Sequence, residues 1–180
     1  DVHFDFEGDP NWGDEGLEYL WGTLYDAEDG VRYEPRWATS RAEERAALED
    51  WIDWLTERLE RHPDLHVYHY NSYEPVALKR LVARHATREE ELDDLLRRKV
   101  FVDLYGITRQ TLRAGVESYG LKAMEAVFGF RRRQDETAIG SLRRWQAHLE
   151  DGKAKWLEEI AIYNEDDVRS TAALQDWLWA

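Results

Sequence analysis

Two acidic residues near the start of the chain have the spacing of a metal site. Asp5 and Glu7 stand at positions i and i+2 of segment 2–7, in which apolar and polar residues alternate. Such alternation predicts a β-strand, on which side chains two residues apart point to the same face. The intervening apolar residues predict that the strand is buried, where two carboxylates are costly without a cation. Their oxygens can converge on a hard divalent cation such as Mg²⁺ or Mn²⁺, the alternative being two exposed acids on an edge strand.

Acidic residues of a second and third motif follow later in the chain. Glu74 comes just after a predicted fourth strand and opens a helix, where open α/β sheets place ligands. The alternative is an acid that only suits the helix dipole.

Tyr163 and Asp167 form the third motif. They are spaced i and i+4, so they share one face of a last helix that we predict to begin near residue 163. A phenol and a carboxylate so arranged can hold a water molecule and a metal ion, whereas the alternative is an acid cluster that caps the helix. Asp166 competes with Asp167, which we prefer for its spacing from Tyr163.

The composition excludes several classes of protein. A length of 180 residues fits one domain, and the absence of cysteine excludes disulfide frameworks, thiolate chemistry and zinc ribbons. No apolar run reaches the ~20 residues of a membrane span. The chain begins with Asp1 rather than Met, and we expect it to be a piece of a longer protein.

The net charge of −14 by itself argues against nucleic-acid binding, but the charges are unevenly distributed along the chain. Residues 1–60 carry a net −13, whereas residues 79–144 carry a net +5. Phosphate contacts depend on local positive charge, so basic clusters such as Arg131, Arg132 and Arg133 are candidates for them. The alternative is that these clusters are solvated faces of helices.

The predicted elements follow the order β-β-β-α-β-α and then helices only. Strands 2–7, 17–25 and 31–37 form an antiparallel meander, and strand 65–70 comes fourth. Ser40 with Glu43, and Thr87 with Glu90, are capping boxes that begin two helices. Segment 100–104 is either a strand or the start of a helix, and further helices are predicted over 75–85, 121–128, 138–149, 154–161 and 163–178. This order predicts one α/β domain over residues 1–180, with a mixed central sheet flanked by helices and a helical C-terminal part.

Taken together, the three acidic motifs resemble those of the DEDD superfamily of 3′–5′ exonucleases, which has a ribonuclease H-like fold. The shared pattern is D-x-E on a first strand, an acid after a later strand, and Y-x₃-D on a C-terminal helix. Tyr163 matches the tyrosine subclass, because the histidine subclass has His at the position of Ile162. The chain is also similar, over essentially its whole length, to the YprB-type ribonuclease H-like domain of predicted RecB-family nucleases. Segments 68–74, 101–104 and 163–168 carry that likeness.

The resemblance implies a site for two divalent cations, Mg²⁺ or Mn²⁺. Asp5 would bridge the two ions. Glu7 and Asp167 would complete the site of the ion beside the attacking water, and Glu74 would hold the other ion. Tyr163 would orient the water through its hydroxyl, since a pKa near 10 makes the phenol a poor general base.

The second motif departs from the family pattern, in which the spacing is Asn-x₃-Asp. This chain has Asn71-x₂-Glu74 instead. We expect Glu74 to replace the Asp, with Asp103 as the alternative fourth acid or as a neighbour of Glu74. Candidate substrate contacts are Asn71, Lys122 for a phosphate, and Trp12 for stacking on a terminal base. The alternative for Trp12 is packing within its own domain.

These expectations define a metal-dependent 3′–5′ exonuclease that acts on single-stranded DNA or RNA. One alternative is an enzyme of the same fold that cuts internally. Another is a catalytically weak or inactive module that binds nucleic acid or docks a partner. The resemblance also implies RecB-like nuclease or helicase domains in the same polypeptide as partners, and a role in DNA repair or mobile-element defence. We expect a cytoplasmic location and no membrane partner.

Overall fold

The computed structural model describes all residues from Asp1 to Ala180. Its strands are β1 (Val2–Asp9), β2 (Leu17–Ala27), β3 (Gly30–Trp37), β4 (Val67–His69) and β5 (Phe101–Asp103). They form one sheet in the order β3-β2-β1-β4-β5. β1 pairs antiparallel with β2 and parallel with β4, so the strand that carries Asp5 and Glu7 lies at the centre of a mixed sheet. The predicted meander and mixed sheet are confirmed, although the fourth strand is shorter than predicted.

Helices cover both faces of the sheet. They are α1 (Arg41–Arg61), α2 (Tyr73–His85), α3 (Glu89–Arg97), α4 (Leu104–Thr111), α5 (Leu121–Phe128), α6 (Ala138–Asp151) and α7 (Ala154–Trp179). The largest cluster of buried apolar residues joins the sheet to α1, α2 and α3, and two smaller clusters join the opposite face to α4, α6 and α7. None of these helices has the length and apolar character needed to cross a membrane.

The alternation in β1 divides its side chains between the two faces. Phe4 and Phe6 point into the larger core, where Phe4 stacks on Trp51 with ring centroids 4.2 Å apart. Aromatic pairs of this kind add to the hydrophobic stabilisation of a core and fix the strand in place. Asp5 and Glu7 therefore point to the other face, towards α6 and α7.

One stacked pair anchors α6 to that second face. The Tyr19 ring of β2 lies 4.3 Å from the Trp145 ring of α6, and the two planes are nearly parallel. Both side chains are fully buried. This packing holds α6 and its neighbour α7 close above the acidic residues of β1.

The predicted break near residue 162 is wrong, because α7 runs from Ala154 to Trp179 without interruption. The segment contains neither Gly nor Pro, so nothing in it stops a helix. The acids of the third motif consequently lie in the middle of α7 and not at a helix start. Their mutual repulsion is offset by arginines: Arg133 pairs with Glu165 and Asp166, and Arg169 pairs with Glu165.

Of the two predicted capping boxes, one forms in part: the Glu43 carboxylate accepts the N–H and the hydroxyl of Thr39 rather than the N–H of Ser40. The Ser40 hydroxyl accepts a hydrogen bond from the Glu43 N–H at 3.3 Å, as predicted. The box at Thr87 is wrong: Arg88 is the N-cap of α3 with a left-handed φ of 56°, and no side chain caps this end. Thr87 instead donates its hydroxyl to Glu49 of α1 at 2.7 Å, a tertiary contact that competes with the local cap.

Candidate metal centre

Three carboxylates meet between the central strand and the last helix. Asp5 and Glu7 of β1 and Asp167 of α7 each offer an oxygen, and these oxygens all lie within 4.8 Å of one another. We call this group the acidic centre. Glu7 is buried, whereas Asp5 and Asp167 are partly exposed, so the group can be reached from solvent on one side. The structure thus brings together the residues of the first and third motifs.

The Asp5 carboxylate is held by an amide from α7. Asn164 Nδ2 donates to Asp5 Oδ2 at 2.8 Å, and Asn164 Oδ1 accepts from the Tyr33 hydroxyl at 2.9 Å. The two bonds together fix which end of the amide faces Asp5. A Cβ at Gly22 of β2 would lie 1.6 Å from Asn164 Oδ1, so only glycine leaves room for this side chain. Sequence reasoning assigned no role to Asn164 or Gly22; the one available signal was that Asn164 and Asp167 share a helix face.

The Glu7 carboxylate is held by a hydroxyl from α6. Ser141 Oγ donates to Glu7 Oε2 at 2.9 Å. Because a hydroxyl has one proton, Ser141 must accept the second bond it makes, at 3.1 Å, from the Tyr19 hydroxyl. Nothing in the sequence marks Ser141, since its contact with Glu7 exists only after α6 has packed on the sheet.

An arginine side chain binds the third carboxylate of the acidic centre, that of Asp167. Arg132 Nη2 donates to Asp167 Oδ1 at 2.6 Å. Its Nε and Nη2 also donate to both oxygens of Glu125, at 2.6–3.0 Å, and Glu125 accepts a further bond from Ser170. Arg132 lies between α5 and α6, so the expectation of a solvated helix face is wrong for this residue. Sequence reasoning named Arg132 only within a basic cluster that could contact phosphate, and did not place its side chain beside the carboxylates, where it is largely buried.

The burial and mutual repulsion of the carboxylates favour their protonated forms. Desolvation, followed by the charge of Asp167, raises the pKa of Glu7 to about 8, against the opposing hydrogen bonds from Ser141 and Asn164. Desolvation, followed by the charges of Asp167, Glu7 and Glu74, raises the pKa of Asp5 well above its usual range. Asp5 is partly exposed, but the protein atoms packed around its carboxyl group replace much of its hydration, and this desolvation gives the shift its direction. Desolvation also raises the pKa of Asp167, and Arg132 opposes the rise.

Two further predicted site residues border the acidic centre. Desolvation and the charges of Asp167, Glu7 and Asp5 raise the pKa of Tyr163, so this hydroxyl remains protonated. Lys122, in the first turn of α5, places its Nζ 4.9 Å from the centroid of the Tyr163 ring. The charge of Lys122 also lowers the pKa of Asp167, so the ammonium group lies close enough to act on the centre.

Glu74 lies outside the group of three but within its electrostatic reach. It is buried at the start of α2, and its charge raises the pKa of Asp5. Glu74 Oε2 lies 3.3 Å from His69 Nδ1, yet that nitrogen donates its proton to the carbonyl of Asn71 at 2.6 Å. Glu74 Oε2 is therefore left without a hydrogen bond, and a buried carboxylate oxygen of this kind calls for a partner.

The second candidate for the fourth acid has a structural task. Asp103 is the N-cap of α4, and its Oδ1 accepts the backbone N–H groups of Tyr105 and Asn71, both at 2.9 Å. These bonds hold the loop after β4 in place beside Glu74, and Asn71 adopts a left-handed φ of 80° there. The Asn71 side chain accepts from the N–H of Ser72. Asn71 therefore belongs to the second motif and Asp103 is bonded to it, but neither residue is part of the acidic centre.

Two other candidates have partners elsewhere. Asp166 accepts bonds from the backbone N–H and Nε of Arg133 at 2.9 and 2.7 Å, so it points away from the acidic centre. Trp12 packs against the cluster of Tyr19 and Trp145, with the Arg41 guanidinium 5.0 Å from the centroid of its ring. The structure thus gives Trp12 the packing contacts that were the alternative to base stacking.

The ligand set of the acidic centre fits a hard divalent cation. It consists of carboxylate oxygens that are gathered on one side of a rigid sheet and repel one another. Mg²⁺ and Mn²⁺ prefer such oxygens, and a cation would remove both the repulsion and the desolvation cost. Glu74, whose charge acts on Asp5, has one more carboxylate oxygen without a hydrogen-bond partner.

A mixed five-stranded sheet with an acidic centre on its central strand, facing a long C-terminal helix, defines a ribonuclease H-like domain. In agreement with this class, the family model RNase_H_2, described as RNase_H superfamily, matches residues 2–179. The chain therefore belongs to the RNase H superfamily, and nuclease-type activity on nucleic acid is what this membership indicates. No match was found among curated proteins or among solved structures.

Proposed function

We propose that this domain is a metal-dependent 3′–5′ exonuclease of the DEDD type, tyrosine subclass, acting on single-stranded DNA or RNA. One observation carries the proposal. Asp5, Glu7 and Asp167 converge within 4.8 Å, with Tyr163 one helical turn before Asp167. This is the arrangement that the resemblance of the three motifs implies.

Two divalent cations, Mg²⁺ or Mn²⁺, belong to this proposal. Asp5, Glu7 and Asp167 would hold one of them, and Asp5 with Glu74 would hold the other. When bound, the pair supplies a water of lowered pKa and stabilises charge on the attacking and leaving oxygens. We prefer Glu74 to Asp103 as the fourth acid because Asp103 Oδ1 already accepts two backbone N–H groups, whereas Glu74 Oε2 accepts none.

The surrounding residues would orient the reactants. Asn164 and Ser141 hold the carboxylates of Asp5 and Glu7 in fixed rotamers, which lowers the cost of arranging the ligands. The Tyr163 hydroxyl stays neutral, so its role would be to position the attacking water by hydrogen bonding rather than to remove a proton. Lys122 would attract the phosphate backbone.

The proposal is tested by a time course on a 5′-labelled single-stranded oligonucleotide with Mn²⁺. Wild type should give a ladder that shortens from the 3′ end, and Asp5→Asn should give none. Asp64→Asn, which removes an exposed carboxylate far from the acidic centre in sequence, is the matched control and should cleave like wild type. Parallel DNA and RNA strands assign the substrate, and a closed circular strand separates exonuclease from internal cutting. Cleavage by Asp5→Asn at the wild-type rate would refute the assignment.

A second candidate is a catalytically inactive ribonuclease H-like module that binds nucleic acid or docks a RecB-like nuclease or helicase domain. The observation that favours it is the position of Glu74, whose oxygens do not join the group within 4.8 Å. Such a module would show no cleavage and no thermal shift with Mn²⁺, whereas an occupied metal site stabilises the folded state by mass action.

A further inference from the structure

The guanidinium of Arg132 is held rigidly beside the acidic centre. Its side chain is 8% exposed, and Glu125 binds Nε and Nη2 together. In a guanidinium, the N–H of Nε and one N–H of Nη2 form one edge, and the remaining N–H of Nη2 lies parallel to one N–H of Nη1 on the end of the group. The bond from Nη2 to Asp167 therefore shows that this end edge faces the acidic centre.

One of the two N–H groups on this end edge, that of Nη1, has no acceptor. Arg132 Nη1 is buried and makes no hydrogen bond, although Nη2 beside it makes several. An unpaired donor on a buried cation is costly, and a functional site whose ligand supplies the acceptor is one of the places where structures retain such a donor. A phosphate matches the edge, because two of its oxygens can accept the parallel N–H groups of one guanidinium.

We propose that Arg132 is a substrate-binding residue that donates to the non-bridging oxygens of the phosphate held at the acidic centre. This inference rests on the proposed function, because it takes a phosphodiester as the ligand. Glu125 is the positioning residue: it keeps the guanidinium in place when Asp167 turns to another partner. Lysine at position 132 would keep the positive charge but lose the planar fork.

The test measures binding rather than turnover. Fluorescence anisotropy with Ca²⁺ compares two 5′-labelled single-stranded DNA oligonucleotides that differ only in the 3′-terminal linkage, a phosphodiester in one and a neutral methylphosphonate in the other. Wild type should bind the methylphosphonate strand ~10–100-fold more weakly, as expected for loss of charge-assisted hydrogen bonds. In Arg132→Met this ratio should fall by about tenfold, because the residue that senses the oxygen is gone.

Arg131→Met is the matched control. Arg131 is exposed and lies in the same loop, and its substitution by Met removes the same charge. It should keep the wild-type ratio even if both strands bind somewhat more weakly. Arg132→Lys is a second variant in case Arg132→Met unfolds, and its ratio should also fall, by at least about threefold. A purely structural role for Arg132 predicts an unchanged ratio in every folded variant, and that result would overturn the inference.

The outcomes separate this inference from the proposed function. Metal-dependent cleavage by wild type with an unchanged ratio in Arg132→Lys and Arg132→Met overturns the role of Arg132 alone. A ratio that depends on Arg132 in a protein that does not cleave supports the phosphate contact and overturns the exonuclease. Absence of both cleavage and discrimination overturns both.

Discussion

Divalent-cation binding should weaken steeply as the pH falls, because protons and cations compete for the same oxygens. Desolvation and the charge of Asp167 raise the pKa of Glu7 to about 8. Only the ionised carboxylate is a ligand for Mg²⁺ or Mn²⁺, so binding must release the proton that Glu7 carries below that pH. The pKa of Asp5 is raised as well, which adds to the effect in the same direction.

The magnitude follows from the pKa of Glu7. With a pKa of about 8, Glu7 is half ionised near pH 8 and ~1% ionised near pH 6. The apparent affinity for one cation should therefore fall about 50-fold between these two pH values from Glu7 alone. Each proton released by Asp5 would increase the fall.

Isothermal titration of Mn²⁺ into the metal-free protein measures both parts of this prediction. The dissociation constant is determined at several pH values, and titration in two buffers of different ionisation enthalpy gives the number of protons released. Glu7→Gln should bind the cation more weakly but with a flatter pH dependence, because its side chain carries no titrating proton. Glu60→Gln, a change on the exposed side of α1, is the control and should retain the wild-type slope.

The reasoning would be refuted by a dissociation constant that is the same near pH 6 and pH 8. Tight binding without proton release would show that Glu7 is already ionised in the metal-free protein. An unchanged slope in Glu7→Gln would assign the released proton to another group.

Four further predictions concern stability and positioning. Because the pKa of Glu7 is raised on folding, the metal-free protein should lose stability as the pH rises from about 4.5 to about 8, and Glu7→Gln should remove part of that loss in urea titrations. Gly22→Ala should weaken Mn²⁺ binding by ~10-fold or more, since the new Cβ would displace Asn164, whereas Gly115→Ala meets no atom within 4 Å and should bind normally. Tyr163→Phe should lower kcat by ~10–100-fold with an unchanged Mn²⁺ dissociation constant. An equal fall in kcat and in the affinity for Mn²⁺ would contradict a water-positioning role. Trp145→Ala should destabilise the fold by ~3–5 kcal/mol in urea unfolding, because it removes a fully buried ring from the stack with Tyr19.

Local sequence patterns were sufficient for the first three strands and for the first helix. The alternation in β1 depends on side-chain direction along an extended backbone, which is a local property. The cap at Ser40 likewise needs only a residue three positions away. For the same reason the i and i+4 relation of Tyr163 and Asp167 is confirmed even though the start of their helix was predicted wrongly.

The errors arose where distant residues decide the local structure. The acids of α7 looked like a helix start because acids are favoured in first turns. They lie in the middle of the helix because nothing before them in the segment stops a helix, and Arg132 and Arg133, more than thirty residues away, neutralise Asp167 and Asp166. The Thr87 cap fails because its hydroxyl finds Glu49 on another helix.

The sequence by itself determined which acids could meet, because residue spacing fixes the face of a strand or helix from which each side chain projects. Tertiary structure decided which of them do meet: it joined Asp5 and Glu7 to Asp167 and left Glu74 outside the group. It also decided the partners that hold the site, Asn164, Ser141 and Arg132. The physical reason is that these contacts join residues far apart in sequence, and their hydrogen bonds exist only once the helices have packed on the sheet.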